Sequence, residues 1–518
     1  MPRSSLAGIL ILAALLHALG MARSPLPAQD GLKFIRIARQ FQEQPWVEVV
    51  RRSDQHPLYP ALVAIAEPCV RLVAGWGPSC WRIAAQSVSA LASLWLLIPL
   101  FRLVQAWFNE SIAATSTLLW VLLPVPGLIG HDTLSDSLFL ALFVTALWFG
   151  DLSLRDPSRL TPGFACGLTI GLGFLTRPEA LVLPISVCLV SLARWLHRPN
   201  SSRVMIRAGT MMISFLVVVG CYSLVKGQVS EKLALRRAVG LPPSAVARPS
   251  LNPLPPGLDD PRWDFSPKEE AHRSETLSPS EAFLRLVRTW AENLVWVLAI
   301  ASTWGFWRSR NRPERRLAAV FCLIYCTLFG AILVRHATVA GYLSDRHTLS
   351  IALVTLPWSA VGISEIRQAI RSRLRPRRGL VAMRVALLAS VVLAAAYFQV
   401  RDGHPTRWGH RAAGEWLARH LQPGEAVLDT RGWAAFVSDT SAYSPWQFGQ
   451  ALRDPNLTYL VVGTDELKAP SRRAMTLRAL LRATGSLVVG FSGRQGGEDV
   501  AVQIYRVHPP RSWRGLLP

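Results

Sequence analysis

Charge is scarce in this chain, and acid is scarcer than base: 17% of the 518 residues are charged, with 33 Asp and Glu against 56 Lys and Arg. A typical soluble domain is about a quarter charged. The deficit, with 51% hydrophobic residues and a mean hydropathy of +0.28, excludes an ordinary soluble enzyme. Metal-ligand spacing is missing from the cysteines. Five of the seven (Cys166, Cys188, Cys221, Cys322 and Cys326) lie inside apolar runs and read as small buried hydrophobes. Cys69 and Cys80 pair only if their loop faces an oxidising compartment. No tandem repeat of fixed period is evident. The net charge of +23 invites a nucleic-acid reading, but the arginines concentrate in short segments between apolar runs. There they set topology and meet anionic headgroups, so the expected partners are membrane lipids and not nucleic acid.

What the chain has is long apolar runs, each near the ~20 residues that cross a bilayer. They fall near 5–22, 83–104, 111–129, 134–150, 163–176, 179–196, 207–225, 289–307, 316–334, 348–363 and 383–399. This predicts an α-helical polytopic membrane protein of about eleven spans over residues 1–400. One short loop holds Arg308, Arg310, Arg312, Arg315 and Arg316, and another holds Arg367, Arg371, Arg373, Arg375, Arg377, Arg378 and Arg384. Both belong on the cytoplasmic side. Arg155 and Arg159, and Arg194 to Arg207, join that side only if 163–196 crosses twice, turning at Thr176-Arg177-Pro178-Glu179. Parity then puts the N-terminus in the cytoplasm and the first polar loop, 23–82, outside. Two segments leave alternatives. Residues 58–75 carry Glu67, Pro68 and Arg71 in an apolar stretch and either lie in the interface or cross. Residues 5–22 read as an uncleaved anchor or as a signal peptide.

A second outer loop, 226–288, carries eight prolines between Pro242 and Pro267 and is not expected to hold regular structure by itself. Residues 401–518 read differently. Short apolar runs at 426–429, 458–463, 486–491 and 500–507 alternate with helical patterns at 406–421 and 471–483, which predicts a small α/β domain on the outer side.

This topology gathers the unusual polar residues at one membrane boundary. Asp30 and His56 come from the first loop, and His131, Asp132 and Asp136 from the turn after the third span. Arg177 and Glu179 come from the turn after the fifth, Lys226 from the end of the seventh, and Arg335, His336, Asp345, Arg346 and His347 from the loop after the ninth. Ionisable groups at such a boundary are costly unless paired or hydrated, so the gathering is a candidate site. Asp30 is placed to take a proton as general base. Arg177, Lys226, Arg346 and His347 can stabilise an anionic leaving group. Pro57 and Pro60 hold the backbone around His56 extended.

Asp30, then Ile37-Ala38, then His56-Pro57-Leu58-Tyr59-Pro60 resembles the start of GT-C superfamily glycosyltransferases. The nearest group contains protein O-mannosyltransferases, lipid A aminoarabinose transferases and lipopolysaccharide galacturonosyltransferases. Asp132 and Asp136, GLGFLTRPEAL around Arg177 and Glu179, and GYLSDRH at 341–347 look like later landmarks of such enzymes. The resemblance implies an inverting transfer from a polyprenyl-phosphate sugar to a glycan, lipid or protein acceptor on the outer face of the membrane, and short loops without a retention signal point to a plasma (inner) membrane. It assigns the base to Asp30, and the gathered polar residues offer His56, Asp132, Asp136, Arg177, Lys226, Arg346 and His347 as candidate substrate contacts. One departure stands out. Many relatives pair two acids in the first loop, whereas Gly31 follows Asp30 here and Phe34 replaces a tyrosine. With no second acid, a divalent cation in this loop has no support, and no cofactor is expected.

Each residue also has an ordinary reading. Asp30 can be the first-turn acid of the helix that follows, and His56 a turn histidine beside proline. Asp132 and Asp136 can cap the fourth span, Arg177 and Glu179 can pair to close a turn, and Arg346 can anchor a span end at headgroups. Two rival functions share the architecture. A transporter of lipid-linked sugars calls for paired half-sequence symmetry, and a non-catalytic scaffold would tolerate loss of Asp30.

Overall fold

The computed structural model describes residues 4–155, 159–197, 202–230, 263–265, 277–373, 390, 393–394, 396–399, 406–444, 447–493 and 499–508. The first helices in chain order are α1 (Ser4–Arg23), α2 (Gln29–Glu43), α3 (Trp46–Arg52), α4 (Leu58–Ala74), α5 (Pro78–Trp107) and α6 (Glu110–Leu122). They are followed by α7 (Pro124–His131), α8 (Asp136–Arg155), α9 (Thr161–Phe174), α10 (Val182–His197) and α11 (Ser202–Lys226). Helices Pro279–Asn293, Val297–Ser309, Arg316–Ala340 and Leu349–Arg373 complete the apolar part.

About eleven spans were expected. Among the described residues seven helices are long and apolar enough to cross a membrane, or eight if the bent pair α6–α7 is one span. The expected span 111–129 bends by 66° between α6 and α7. Pro124 opens α7, and Leu123 before it is extended (ψ 136°), because a proline ring disfavours the helical conformation in the residue it follows. The expected span 163–176 is the 14-residue α9, shorter than a bilayer requires. The expected span 289–307 is not one helix. Pro279–Asn293 ends, Val295 and Trp296 take positive φ (53° and 49°), and a 13-residue helix starts at Val297. Most of 383–399 and of the proline-rich loop 226–288 lies outside the described residues.

Residues 58–75 form α4, which packs along α2 and α5. Tyr59, Val63 and Glu67 face inward, while Leu72, Val73 and Trp76 beyond them are exposed. Glu67 is buried but not isolated, since Gln42 Nε2 donates to it at 3.1 Å. Cys69 and Cys80 are both free thiols, and Cys80 is turned toward the Glu67 carboxylate at 3.5 Å.

The C-terminal part holds a five-stranded sheet in the order β2-β1-β3-β5-β4. The strands are β1 (Ala426–Asp429), β2 (Ala442–Tyr443), β3 (Leu457–Gly463), β4 (Gly485–Ser492) and β5 (Val500–Val507). β1 runs parallel to β2 and β3, and β5 pairs antiparallel with β3 and β4. Alternation divides the strand residues between two faces. Leu428, Leu460 and Val462 pack on the helix Arg472–Thr484 through Leu477 and Leu480. Val427, Val461 and Ile504 pack on the helix Thr406–His420 through Ala413 and Leu417. The four longer strands and both helices match the sequence pattern. The two-residue β2 is too short to leave one.

Candidate active site

Asp30 stands in the first turn of α2, whose Phe34, Ile35, Ile37, Ala38 and Phe41 form a buried stripe. That stripe fixes the helix rotation, and Asp30 is left at the open end with its side chain 36% exposed. Arg346, in the turn before the helix Leu349–Arg373, donates from Nη2 to Asp30 Oδ2 at 2.8 Å. Its Nη1 lies 3.5 Å from Asp136 Oδ2. Asp136 opens α8 and is almost fully buried; its Oδ1 accepts from Arg177 Nη1, whose Nη2 donates to Glu179 Oε1 at 2.9 Å.

The four turns therefore meet in one chain of charges: Asp30, Arg346, Asp136, Arg177 and Glu179. Three carboxylates face two guanidiniums. Burial alone would lower the basicity of Arg177, but Asp136 and Glu179 outweigh it and its pKa is raised. Arg177 is a fixed cation and Asp136 its fixed counterion. Arg346, one-third exposed, is the cation with access to incoming groups.

Gly31 explains why a second acid does not follow Asp30. A Cβ built on Gly31 would overlap the Thr133 hydroxyl and lie 2.6 Å from Thr133 Cβ and 2.8 Å from its carbonyl oxygen. Helix α2 touches the 132–135 turn through the missing side chain, so no acid fits at 31.

Asp132 does a different job from Asp136. Its Oδ1 accepts from the Ala28 backbone N–H at 2.9 Å, and its Oδ2 from Arg407 Nη2 at 2.9 Å. Burial would raise its pKa, but the Arg407 cation and the Thr133 N–H bond lower it below the usual aspartate value. It is an ionised group at the start of α2.

A cavity of about 520 Å³ opens beside these residues, with Asp30, His131, Asp132 and Arg346 on one side and Arg407, Arg431 and Trp433 on the other. The last three come from the C-terminal domain, and sequence reasoning missed them. A weak signal existed: Asp429-Thr430-Arg431-Gly432-Trp433 sits just past the carboxyl end of β1, where α/β sheets commonly place sites. Gly432 takes φ +75°, which lets the chain turn there.

Three expected residues lie elsewhere. His56 is buried with Nε2 3.2 Å from Ser230 Oγ, between Phe174 and Tyr222 at 5.0 and 5.7 Å between ring centres. Lys226 donates to the carbonyls of Arg51 (2.8 Å) and Ser53 (2.6 Å), tying the end of α11 to the first loop. His347 accepts from the Ser344 N–H at 3.3 Å and closes the turn that carries Arg346. None of the three lines the cavity. Among the described residues no group of three or more His, Cys, Asp or Glu is arranged to hold a metal ion.

Comparison with known proteins bears on the fold. Residues 79–237 match the family described as dolichyl-phosphate-mannose-protein mannosyltransferase. The chain is similar to ArnT from Cupriavidus metallidurans bound to undecaprenyl phosphate, with 14% identity over 99% of this chain and 98% of that one and a TM-score of 0.59. It is also similar to the Archaeoglobus fulgidus oligosaccharyltransferase tethered to an acceptor peptide, with 12% identity over 100% and 77% of the two chains and a TM-score of 0.52. The AglB oligosaccharyltransferase of Archaeoglobus fulgidus in complex with an inhibitory peptide and a dolichol-phosphate matches at 12% identity over 98% and 76%, with a TM-score of 0.51. Comparison with curated proteins gives no match. The chain has the fold of the GT-C superfamily.

Proposed function

We propose that this chain is an integral-membrane glycosyltransferase that moves a sugar from a polyprenyl-phosphate donor to an acceptor on the outer face of the membrane, with Asp30 as general base. The observation that carries the reading is the Asp30–Arg346–Asp136–Arg177 chain, whose Asp30 and Arg346 line a cavity of about 520 Å³ while Asp136 and Arg177 stand behind them. The family match and the ArnT and AglB folds, solved with undecaprenyl phosphate and dolichol-phosphate, support the donor class.

In the reaction an acceptor hydroxyl attacks the anomeric carbon while its proton passes to an Asp30 oxygen. The bond from the anomeric carbon to the phosphate oxygen breaks, and the electron pair leaves with the polyprenyl phosphate. Attack from the face opposite the leaving group inverts the configuration. Arg346 is held between Asp30 and Asp136 and can turn a guanidinium edge to the phosphate as charge collects there. Arg177 holds Asp136 in place from behind. The arginine-rich segments at 308–316 and 367–384 support a cytoplasmic side for the helix ends they flank.

The test is transfer by the purified protein in nanodiscs, with a panel of radiolabelled polyprenyl-phosphate sugars and Asp30→Asn alongside. A general base is worth roughly 10²–10⁴ in rate. The Asp30–Arg346 pair is about one-third exposed, so its loss costs under about 1 kcal/mol of stability. The expected result is one consumed donor and a folded variant with turnover down by roughly 10²–10⁴. A panel left intact by the unmodified protein would count against the transferase reading. An Asp30→Asn variant at full rate would remove the base.

A further inference from the structure

The chain leading into α2 has almost no means of holding itself. Residues 24–28 read Ser-Pro-Leu-Pro-Ala, and the two prolines offer no N–H. Ala28, the cap of α2, supplies no side-chain hydrogen bond to the first turn. Its polar groups must find partners elsewhere or stay in water.

Apart from the Ser24 N–H bonds back into α1 and the Ser24 hydroxyl's bond to the Leu26 carbonyl at 3.2 Å, the partners come from far away. Arg82 donates to the Ser24 carbonyl. Arg407 Nη1 donates to the Leu26 carbonyl at 3.0 Å and to Ser24 Oγ at 3.3 Å. Trp433 Nε1 donates to the Pro27 carbonyl at 2.9 Å. The Ala28 N–H donates to Asp132 Oδ1 and Thr133 Oγ1, both at 2.9 Å. Asp132 is itself paired with Arg407, and the Arg407 guanidinium lies 5.8 Å from the Trp433 ring centre. The side chains of Arg407 and Asp132 are 7% and 13% exposed. Asp30 follows two residues after the last of these bonds.

We propose that Arg407, Trp433 and Asp132 are positioning residues: the C-terminal domain grips residues 24–28 and thereby sets where the Asp30 carboxylate stands. This rests on the transferase reading for its kinetic consequence and on the geometry alone for its structural one. A base acts only within hydrogen-bond reach of the proton it takes, and a misplacement of about 1 Å costs about a hundredfold in rate. Arg407 and Trp433 also line the cavity, so a direct acceptor contact is the competing role, and the two roles separate kinetically.

The test uses full-length Trp433→Phe, which keeps the ring and removes the N–H, and Arg407→Lys, which keeps the charge and loses the two-pronged grip. Two readouts are taken in nanodiscs. The first is amide hydrogen exchange of Leu32, Lys33 and Phe34, which needs no substrate. The second is kcat and KM for donor and acceptor, normalised to folded protein. The expected result is faster exchange at those amides and a kcat lower by roughly ten- to a hundredfold, with both KM values within about twofold. Unchanged exchange in both variants overturns the proposal whether or not any transfer is found. A raised acceptor KM with kcat intact also overturns it, since the residues then touch the acceptor. Faster exchange in a protein for which no donor is ever found upholds the grip and places the failure in the transferase reading.

Discussion

Gly31→Ala is the sharpest test of how closely Asp30 is placed. The added methyl group meets Thr133 Cβ at 2.6 Å and the Thr133 carbonyl oxygen at 2.8 Å, against an ordinary contact of 3.4 Å or more. The Cβ pair alone requires a separation of 3.4 − 2.6, about 0.8 Å, and the overlap with the hydroxyl requires more. Overpacking of this kind costs about 1–3 kcal/mol, while alanine in a helix returns about 1 kcal/mol relative to glycine. The two offset only in part in stability, leaving a net cost of about 0–2 kcal/mol. They do not cancel in position, because α2 carries Asp30 with it, and a shift near 1 Å costs about a hundredfold in rate. Gly31→Ala should therefore fold, with stability lower by no more than about 2 kcal/mol and kcat down by roughly a hundredfold. Combining it with Thr133→Gly removes the hydroxyl and Cβ clashes and should restore part of the rate. Turnover within threefold of the unmodified protein would refute the close-approach argument, and so would a double variant slower than the single.

Other changes test the rest of the network. Arg177→Met leaves Asp136, 4% exposed, with only the 3.5 Å contact to Arg346, and should cost about 3–5 kcal/mol in unfolding by SDS titration. Adding Asp136→Asn should return most of that loss. Arg346→Lys keeps the charge but cannot bridge Asp30 and Asp136 with two edges. Its turnover should fall by roughly tenfold or more and its donor KM should rise, and equal kinetics would exclude Arg346 from phosphate binding. His410 in the C-terminal domain is fully buried with both ring nitrogens lacking a hydrogen-bond partner, and burial, then the nearby Arg431, pushes its pKa from 6.5 to about 3. The unfolded chain binds that proton first, so stability is complete above about pH 6.5 and falls with pH toward 3. His410→Phe should flatten this decline when unfolding of the full chain is followed between pH 7 and 4. A decline of unchanged slope would assign it to other groups.

The gathering of Asp30, Asp136, Arg177 and Arg346 was legible in the sequence because arginine-rich turns fix which span ends share a face. The strands of the C-terminal sheet were legible because short apolar runs bounded by polar turns have few other uses. The bend at Pro124 carried a readable signal in the proline itself. The break at Val295 and Trp296 carried none, since neither residue favours positive φ and tertiary packing decides it. Arg407 and Trp433 were not legible as site residues. Arg407 has no distinguishing neighbours in the chain and Trp433 only the weak signal of its place at the carboxyl end of β1, and their roles come from partners 275 to 406 positions away. His56 and Lys226 drew attention as unusual polar residues at the boundary, yet both meet needs of the first loop. A histidine or lysine beside a site looks the same in sequence whether it meets substrate or backbone.

The grip on residues 24–28 also orders events in time. Pro27 and Trp433 are 406 positions apart, so at the usual 5–20 residues per second the start of α2 leaves the ribosome roughly 20–80 seconds before its last partner is made. During that interval the apolar helices can enter the bilayer one by one while the segment before Asp30 has Arg82, Asp132 and Thr133 as partners but not yet Arg407 or Trp433. A chain cut between residues 373 and 433 can own the described membrane helices and still lack the Trp433 bond to Pro27. On the proposed transferase reading, full competence arrives only with the final domain.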